Sequence, residues 1–517
     1  MSPSGTSQAR NAKAARSASA GRGVERRRPT PRPPSALRRR RVRLVIRILV
    51  LLIVAPWLAH GLVVATTRMR PPPIVQPTGD AQPAPDDPNR RTVGASWTRR
   101  RGAIHEVRLV GTPLAIGHAH SRLLYDTQVA LEREVHDLFS HYVPWAPARW
   151  LLVDLARLQF RQLDQRLSLA HRTELASQAA SYSPDPFASL MGTYQRFVFL
   201  DSLYDIMLSF EHSPLVGCTS FVVTGSASEG GHTLLGRNFD FEGPQILDDE
   251  KAVFLVLEEG RIPYASVAWP GFVGTTTGLN LAGLGMVIHG ARAAEPTVAG
   301  EPVAQTVRDL LGTAHDVAEA LAQLDGRAPM VPHMLLMTDG SGAAVVVERV
   351  PGHPPHLRHR TGPVVGLTNH LEGPHGADPS NRAVMAQTST VARRQRLDEI
   401  LANASAPVTV QRAVEILRDK RAAGDQSLPL GHRAAIDALI ATHSVVMDAT
   451  ARVLWVSEGP HAVGRYVRFD LKRLLSPSYE PVGPARVETL PADDILTNGR
   501  YDRWVQGGSP HGDPGNP

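Results

Sequence analysis

One cysteine, Cys218, is present in 517 residues. A lone cysteine excludes an intramolecular disulfide framework and leaves three readings: an inert buried thiol, an intermolecular bridge or a reactive group. Composition by itself favours the inert thiol, because free cysteine is among the most buried residue types. The sequence also lacks a His-Glu-x-x-His pair and any cysteine cluster, so His118, His120 and the rest of the 21 histidines form no recognisable zinc site. The Gly-rich stretch 271–290 carries neither a Walker pattern nor a dinucleotide fingerprint, which removes the usual phosphate-binding readings. No metal and no cofactor is expected, and no internal repeat is found.

Positive charge is missing where a nucleic-acid binder needs it, on the folded part. The formal net charge is +7, but residues 1–47 hold 14 Lys and Arg against one acid, Glu25, and the remainder holds 42 against 48 Asp and Glu. The basic arm is rich in Arg, Ser, Ala and Pro and reads as disordered. Nucleic acid is therefore not an expected partner.

The arm is followed by an apolar run over residues 48–66, broken only by Pro56, His60, Gly61 and the terminal Thr66 and long enough to cross a bilayer as a helix. Arg38, Arg39, Arg40, Arg41, Arg43 and Arg47 flank its N-terminal side, a cationic flank that a buried core helix would not carry. By the positive-inside rule the arm stays in the cytoplasm and the chain after Arg68 lies outside. The basic region is far longer than that of a secretory signal, which favours a single-pass signal anchor over a cleaved peptide. Residues 67–92 are rich in Pro, Asp and Gln and read as a semi-extended spacer.

From about residue 117 to 215 the pattern is helical, with Leu123, Val129, Leu131, Val135, Leu138 and Phe139, then Leu151, Leu155, Leu158 and Leu163, at helical spacing. At Cys218 it turns to β: residues 218–224, a Gly/Ser turn over 225–231 and residues 232–237 predict a hairpin that begins at the cysteine. More short strands are predicted at 253–257, 264–268, 286–289, 334–338, 343–349, 364–368, 444–448 and 453–457, with helices at 303–311, 314–324, 391–402 and 410–420. Strand clusters separated by helices predict an α+β fold of sheets covered by helices. The chain is long enough to bury a sizeable core.

Gly217-Cys218-Thr219-Ser220-Phe221 and, after the hairpin, Gly236-Arg237-Asn238-Phe239-Asp240-Phe241 have a chemical logic. Cysteine attacks well only as a thiolate, which needs an adjacent cation or base. A cut between Gly217 and Cys218 would give the same residue a free α-amine, whose ordinary pKa of about 7.7–8.0 suits a general base. Arg237 can lie on the cysteine side at the strand end to stabilise the thiolate, while Asp240 turns in from the following loop to hold the amine. The alternative is a surface ion pair beside a buried cysteine, which contributes little.

These segments are similar to those of the choloylglycine hydrolase-like branch of N-terminal-nucleophile (Ntn) hydrolases. That branch includes the acyl-CoA:6-aminopenicillanate acyltransferase group (peptidase C45) and the acid ceramidase-like amidases. The resemblance extends to Gly278-Leu279-Asn280-Leu281-Ala282-Gly283-Leu284-Gly285, to Leu367-Thr368-Asn369-His370, to Thr390-Val391-Ala392-Arg393-Arg394-Gln395-Arg396-Leu397 and to Thr442-His443-Ser444-Val445-Val446-Met447-Asp448. Upstream, residues 111–120 look like the start of a C45-type propeptide portion. Order and rough spacing agree from about Gly111 to Leu471, although the hairpin between Cys218 and Arg237 is a few residues longer than the family pattern.

The resemblance implies a four-layer αββα sandwich, matured by self-cleavage at Gly217–Cys218, that opens non-peptide amide bonds through a thioester. It implies Cys218 as nucleophile and base, Arg237 and Asp240 as its activating pair, Asn369 in the oxyanion hole, Asn280 as a second donor and Arg393 as the later active-site arginine. Duller roles stand beside these: Asn280 in a Gly-rich turn, Asn369 capping a loop, and Arg393, Arg394 and Arg396 on a solvated helix face. The expected organisation is a basic arm (1–47), a transmembrane anchor (48–66), a spacer (67–92), a mainly helical N-terminal or propeptide region (93–217), a catalytic domain (218–505) and a flexible tail (506–517). The expected partner is a small-molecule amide or N-acyl substrate. Rival readings are an ester or phospholipid hydrolase on the same fold, an uncleaved thiol hydrolase, and a membrane-tethered binding protein.

Overall fold

The computed structural model describes residues 36–209, 216–294 and 296–507. The chain divides into two compact units, Met1–Leu62 and Val63–Pro517. The arm before residue 36 and the tail after 507 lie outside the described residues. The first element is a helix, Ala36–Thr66, with Pro56 inside it. It starts well before the apolar run, so Arg38 to Arg47 are part of the helix and not of a disordered arm. Its stretch Leu37–Thr66 is long and apolar enough to cross a membrane by length and composition.

Twenty strands follow in the second unit: β1 (Gln82–Ala84), β2 (Asp87–Val93), β3 (Ser96–Arg101), β4 (Ile104–Gly111), β5 (Val216–Val223), β6 (Leu234–Phe241), β7 (Ala252–Glu258), β8 (Tyr264–Ala268), β9 (Thr277–Asn280), β10 (Gly285–Gly290), β11 (His333–Thr338), β12 (Ala344–Arg349), β13 (His356–His359), β14 (Val364–Leu367), β15 (Arg421–Ala422), β16 (Gln426–Ser427), β17 (Ala441–Asp448), β18 (Val453–Ser457), β19 (Tyr466–Asp470) and β20 (Thr489–Leu490). They form a large sheet in the order β1-β2-β3-β4-β7-β8-β9-β10-β11-β12-β13, a smaller one in the order β14-β5-β6-β17-β18-β19-β20, and the small ribbon β15-β16. All neighbours in the large sheet are antiparallel except β4 and β7, which run parallel with His105 opposite Ala252 and Gly111 opposite Glu258.

Alternation along the strands sorts the apolar residues into faces. Val222, Leu235, Val445 and Leu454 of the smaller sheet share one cluster with Val253, Leu255, Val287 and Leu336 of the larger. The intervening residues Phe254, Val256, Met286 and Leu335 pack instead with Ile116, Leu123, Leu175 and Val307 of helices Pro113–Tyr142, Leu169–Ser181 and Val303–Thr313. On the outer side of the smaller sheet, Phe221, Val223 and Val446 meet Leu397, Val414 and Leu417 of helices Thr390–Ala402 and Val410–Leu417.

Two expectations about organisation give way. The stretch 67–92 is not a free spacer: Thr67, Met69, Ala81 and Ala84 are buried, Gln195 donates to the Thr67 carbonyl at 3.0 Å, and β1 and most of β2 lie in it. Nor is 93–217 mainly helical from its start, because β3 and β4 precede the helices. Their pattern escapes apolar alternation because the buried positions of β3 include arginines. Arg99 and Arg101 share the fully buried Glu106 of β4 as ion-pair partner, at 2.6 and 2.7 Å.

Candidate active site

Cys218 sits third in β5, opposite Phe239 of β6 and diagonal to Arg237, which pairs with Ser220. With a period of two, Cys218, Ser220 and Val222 face the larger sheet together with Arg237 and Phe239. Arg237 is fully buried and spans the two sheets: Nη1 donates to the Thr276 carbonyl at 2.8 Å and Nη2 to the Ile288 carbonyl at 2.8 Å. Nη2 also lies 3.4 Å from Cys218 Sγ, and the guanidinium covers the Phe239 ring at 4.8 Å. Two carbonyls and an aromatic face hold the cation where desolvation alone would oppose it.

Asp240 is not in a loop after the strand. It belongs to β6 and pairs with Gly217, so alternation turns it to the opposite face from Arg237. A Cβ on Gly217 would stand 3.3 Å from Asp240 Cβ and 3.5 Å from its Oδ2, which is tight and keeps that position small. Oδ1 of Asp240 has no hydrogen-bond partner among the described residues.

The backbone of Cys218 is gripped from the third side. Its N–H donates to Asn369 Oδ1 at 2.6 Å. Its carbonyl accepts from Arg393 Nη1, which also donates to Thr219 Oγ1 at 2.7 Å, while Arg393 Nη2 donates to Asn369 Oδ1 at 3.1 Å. Asn369 follows β14, the strand paired with β5; Thr390 Oγ1 accepts from its backbone N–H at 2.8 Å. Of the three helix arginines only Arg393 reaches the cysteine. Arg394 pairs with Asp398 and Glu372, and Arg396 with Asp419 and Asp425. A cavity of about 80 Å³ beside Gly217 is lined by Gly290, Asn369, Ser389 and Arg393, among others.

Burial dominates the electrostatics. It pushes the Cys218 thiol up against the opposing pull of Arg237, and Asp240 adds to the rise. It lifts the Asp240 carboxyl to about 6, with Arg393 the largest opposing influence. The thiol is therefore protonated and needs a base to become a nucleophile, and the carboxyl beside the Gly217–Cys218 bond is pushed up to about 6.

Asn280 does not join this group. Its Oδ1 accepts from the N–H groups of Gly283 and Leu284 at 2.9 Å, and its Nδ2 donates to the Leu311 and Ala314 carbonyls at 2.9 and 2.8 Å, so its carboxamide is used up in fixing the β9–β10 turn to a helix end. Two further residues belong at the site that the sequence reasoning passed over. Ser220 Oγ and His289 Nε2 lie 2.8 Å apart, and His289 Nδ1 lies 3.2 Å from the Thr368 carbonyl. Burial holds His289 well below its ordinary pKa, so the ring is neutral, Nδ1 donates to the carbonyl and Nε2 accepts from the serine. Ser220 stands inside the Cys-Thr-Ser motif, which was its only signal; His289 is brought in from the other sheet.

Residues 227–459 match the family model described as acyl-coenzyme A:6-aminopenicillanic acid acyl-transferase. The match contains Arg237, Asp240, Asn280, Asn369 and Arg393 and begins just after Cys218. An uncharacterized protein of Archaeoglobus fulgidus is 27% identical over 162 residues, 29% of this chain and 27% of that protein; the chain thus spans about a quarter of that relative. Among solved structures, the N-acylethanolamine-hydrolyzing acid amidase ortholog of Caenorhabditis elegans is similar with a TM-score of 0.34 and 17% identity, covering 45% of this chain and 93% of that one. Penicillin V acylase from Agrobacterium tumefaciens gives a TM-score of 0.32 and 18% identity, covering 53% and 99%.

Proposed function

We propose, from the match of residues 227–459 to the acyl-coenzyme A:6-aminopenicillanic acid acyl-transferase family model, that this chain is a cysteine Ntn amide hydrolase or acyltransferase that activates itself by cutting between Gly217 and Cys218. The observation that carries this reading is the convergence on one residue. Arg237 meets the Cys218 thiol, Asn369 its N–H and Arg393 its carbonyl, while Asp240 lies beside the preceding Gly217.

In the self-cleavage step the Cys218 thiol gives up its proton, which we assign to the Asp240 carboxylate across the strand from Gly217, and the sulfur attacks the Gly217 carbonyl carbon. The C–N bond breaks as the nitrogen takes up a proton, leaving Gly217 as a thioester on Sγ; water then releases it as a carboxylate. The freed α-amine inherits Asn369 Oδ1 as a hydrogen-bond acceptor and has Asp240 beside it. In turnover the amine accepts the thiol proton, Arg237 stabilises the thiolate, and the sulfur attacks a substrate amide carbonyl. The amine returns that proton to the departing amine, and the thioester passes its acyl group to water or to an acceptor amine. Asn369 serves the oxyanion, and positioned donors of this kind lower a barrier by about 2.7–4 kcal/mol. Arg393 holds the reacting peptide in place.

On this reading the two sheets and their covering helices are a four-layer αββα sandwich, residues 93–217 are its N-terminal subunit, and helix Ala36–Thr66 is a single-pass anchor with its arginine-rich end cytoplasmic and the enzyme outside. The substrate is a small-molecule, non-peptide amide. Intact mass and N-terminal sequencing of the purified protein beside Cys218→Ala test the reading. A fragment beginning at Cys218 in the wild type alone supports it; an intact chain in both overturns self-cleavage.

A further inference from the structure

A cavity of about 770 Å³ opens where β6 and β17 end, within the range of small-molecule sites. Phe241, which follows Asp240, lines it, and so does Thr442, whose hydroxyl donates to the Phe239 carbonyl at 3.4 Å. Its position relative to the reacting bond follows from strand register. The acyl side of the Gly217–Cys218 amide is Gly217 and then Val216, and Val216 is paired with Phe241. The cavity therefore lies in the direction the chain's own acyl portion takes away from the cysteine.

Its walls are aromatic, from Tyr142, Phe241, Tyr501 and Trp504, and no described lining residue is a lysine or arginine, whereas Glu134 and Asp137 stand exposed at its rim. Trp504 is seated against Gly431, whose φ is +79° and whose missing Cβ would stand 2.6 Å from the indole; only glycine admits that approach. The Tyr501 and Trp504 rings meet at a tilt of 42° with centroids 5.7 Å apart. Both residues belong to helix Arg500–Gln506, beyond residues 227–459 that match the family model.

We propose that this cavity is the acyl-binding pocket, taking an apolar or aromatic acyl group that is neutral or ends in a cation and disfavouring one that ends in a carboxylate. Apolar length is gained on aromatic walls, an ammonium is favoured over ring faces beside acids, and a terminal carboxylate meets like charge. The inference rests on the thiol-hydrolase reading. It is tested with a ladder of p-nitroanilides carrying acetyl, hexanoyl and decanoyl groups, and decanoyl chains ending in ammonium or carboxylate. The wild type is expected to favour decanoyl over acetyl by about tenfold or more in kcat/KM, in line with the 10–200-fold that apolar groups contribute in pockets. Val505→Trp, which fills the half-exposed mouth, removes that preference by lowering the decanoyl rate far more than the acetyl rate, and Glu134→Lys with Asp137→Lys reverses the ammonium-to-carboxylate ratio. A flat ladder in the wild type, or a Val505→Trp loss equal for all chain lengths, overturns the pocket assignment. If no anilide is cleaved, the enzyme reading fails and the pocket is read by calorimetry with decanoyl-p-nitroanilide. Binding to Cys218→Ala that is lost in Cys218→Ala with Val505→Trp supports it, and no binding to Cys218→Ala overturns it.

Discussion

Replacing Arg393 by Met separates a positioning arginine from a bystander on a helix face. The methionine keeps the apolar stem but removes every donor, leaving the Cys218 carbonyl and the Thr219 hydroxyl without their partner and Asn369 with one donor fewer. A buried polar group left unsatisfied costs about 1–3 kcal/mol, and removing one side of a buried charged contact costs about 3–5 kcal/mol in total. A typical total stability of ~5–15 kcal/mol leaves a folded but weakened protein. Arg393 is also the largest influence holding the Asp240 carboxyl down, so without it that carboxyl rises above about 6 and is protonated over more of the neutral range. Two effects should appear together: a lower melting temperature, and self-cleavage slowed by ~100-fold or more, as when a positioned donor is lost, with its pH dependence displaced upward. The assay is the cut fraction on a denaturing gel against time from pH 5 to 9, with thermal unfolding beside it. Arg394→Met is the control, since a partly exposed pair of this kind contributes ~1 kcal/mol at most and it touches nothing at the cysteine. Cleavage at the wild-type rate with an unmoved pH profile in Arg393→Met would refute the reasoning.

Three other outcomes are expected. If Asp240 is the base of the proposed self-cleavage, it must be ionised, so wild-type cleavage falls as pH drops through about 6, and Asp240→Asn cleaves slowly at every pH; a normal profile in the variant removes Asp240 from the mechanism. Asn280→Ala lowers the melting temperature, because four hydrogen bonds of the β9–β10 turn are lost, while the folded fraction still cuts itself; a stable but uncut Asn280→Ala protein shows instead that the residue serves the chemistry. Burial raises Glu174 to about 7, Asp201 to about 6 and Asp205 to about 8. A carboxyl whose folded pKa is raised binds its proton more tightly when folded, so its stabilising effect is present below ~pH 4 and is lost as pH rises through the folded value. Melting scans should give a higher temperature near pH 5 than at pH 8, and a rise toward pH 8 contradicts the burial of these three groups.

Where apolar period decides structure, the sequence was legible. Strands 264–268 and 453–457 coincide with β8 and β18, and helices predicted at 303–311 and 391–402 fall within one or two residues of their observed ends. The strands that escaped, β1 to β4, lie among prolines and arginines, and Arg99 and Arg101 are buried only because Glu106 arrives from the next strand. Composition reads such a segment as solvent-facing; only tertiary pairing reveals it as interior. At the site, Cys218, Arg237, Asp240, Asn369 and Arg393 all gather, but not as local spacing implied. Arg237 sits within β6, below the strand end, and Asp240 is in the strand on its other face, because β6 runs on to Phe241 where β17 continues to pair with it. The partners of Arg237 are carbonyls of the opposite sheet, which no neighbouring residue announces. Asn280 carries the opposite lesson: its Gly-rich surroundings were the signal of a turn.

The parallel seam between β4 and β7 crosses the place where the chain would be severed in order of sequence. Strands β1 to β4 come before Gly217 and β7 to β13 after Cys218, yet they are one hydrogen-bonded fabric, with Val107 and Leu109 sharing a core with Phe254 and Val256. If the proposed cut is made, this pairing and shared core join the pieces on its two sides. A severed molecule would migrate as a single particle until denatured, and helix Ala36–Thr66 would keep hold of the nucleophile through a ladder of main-chain hydrogen bonds in place of a peptide bond.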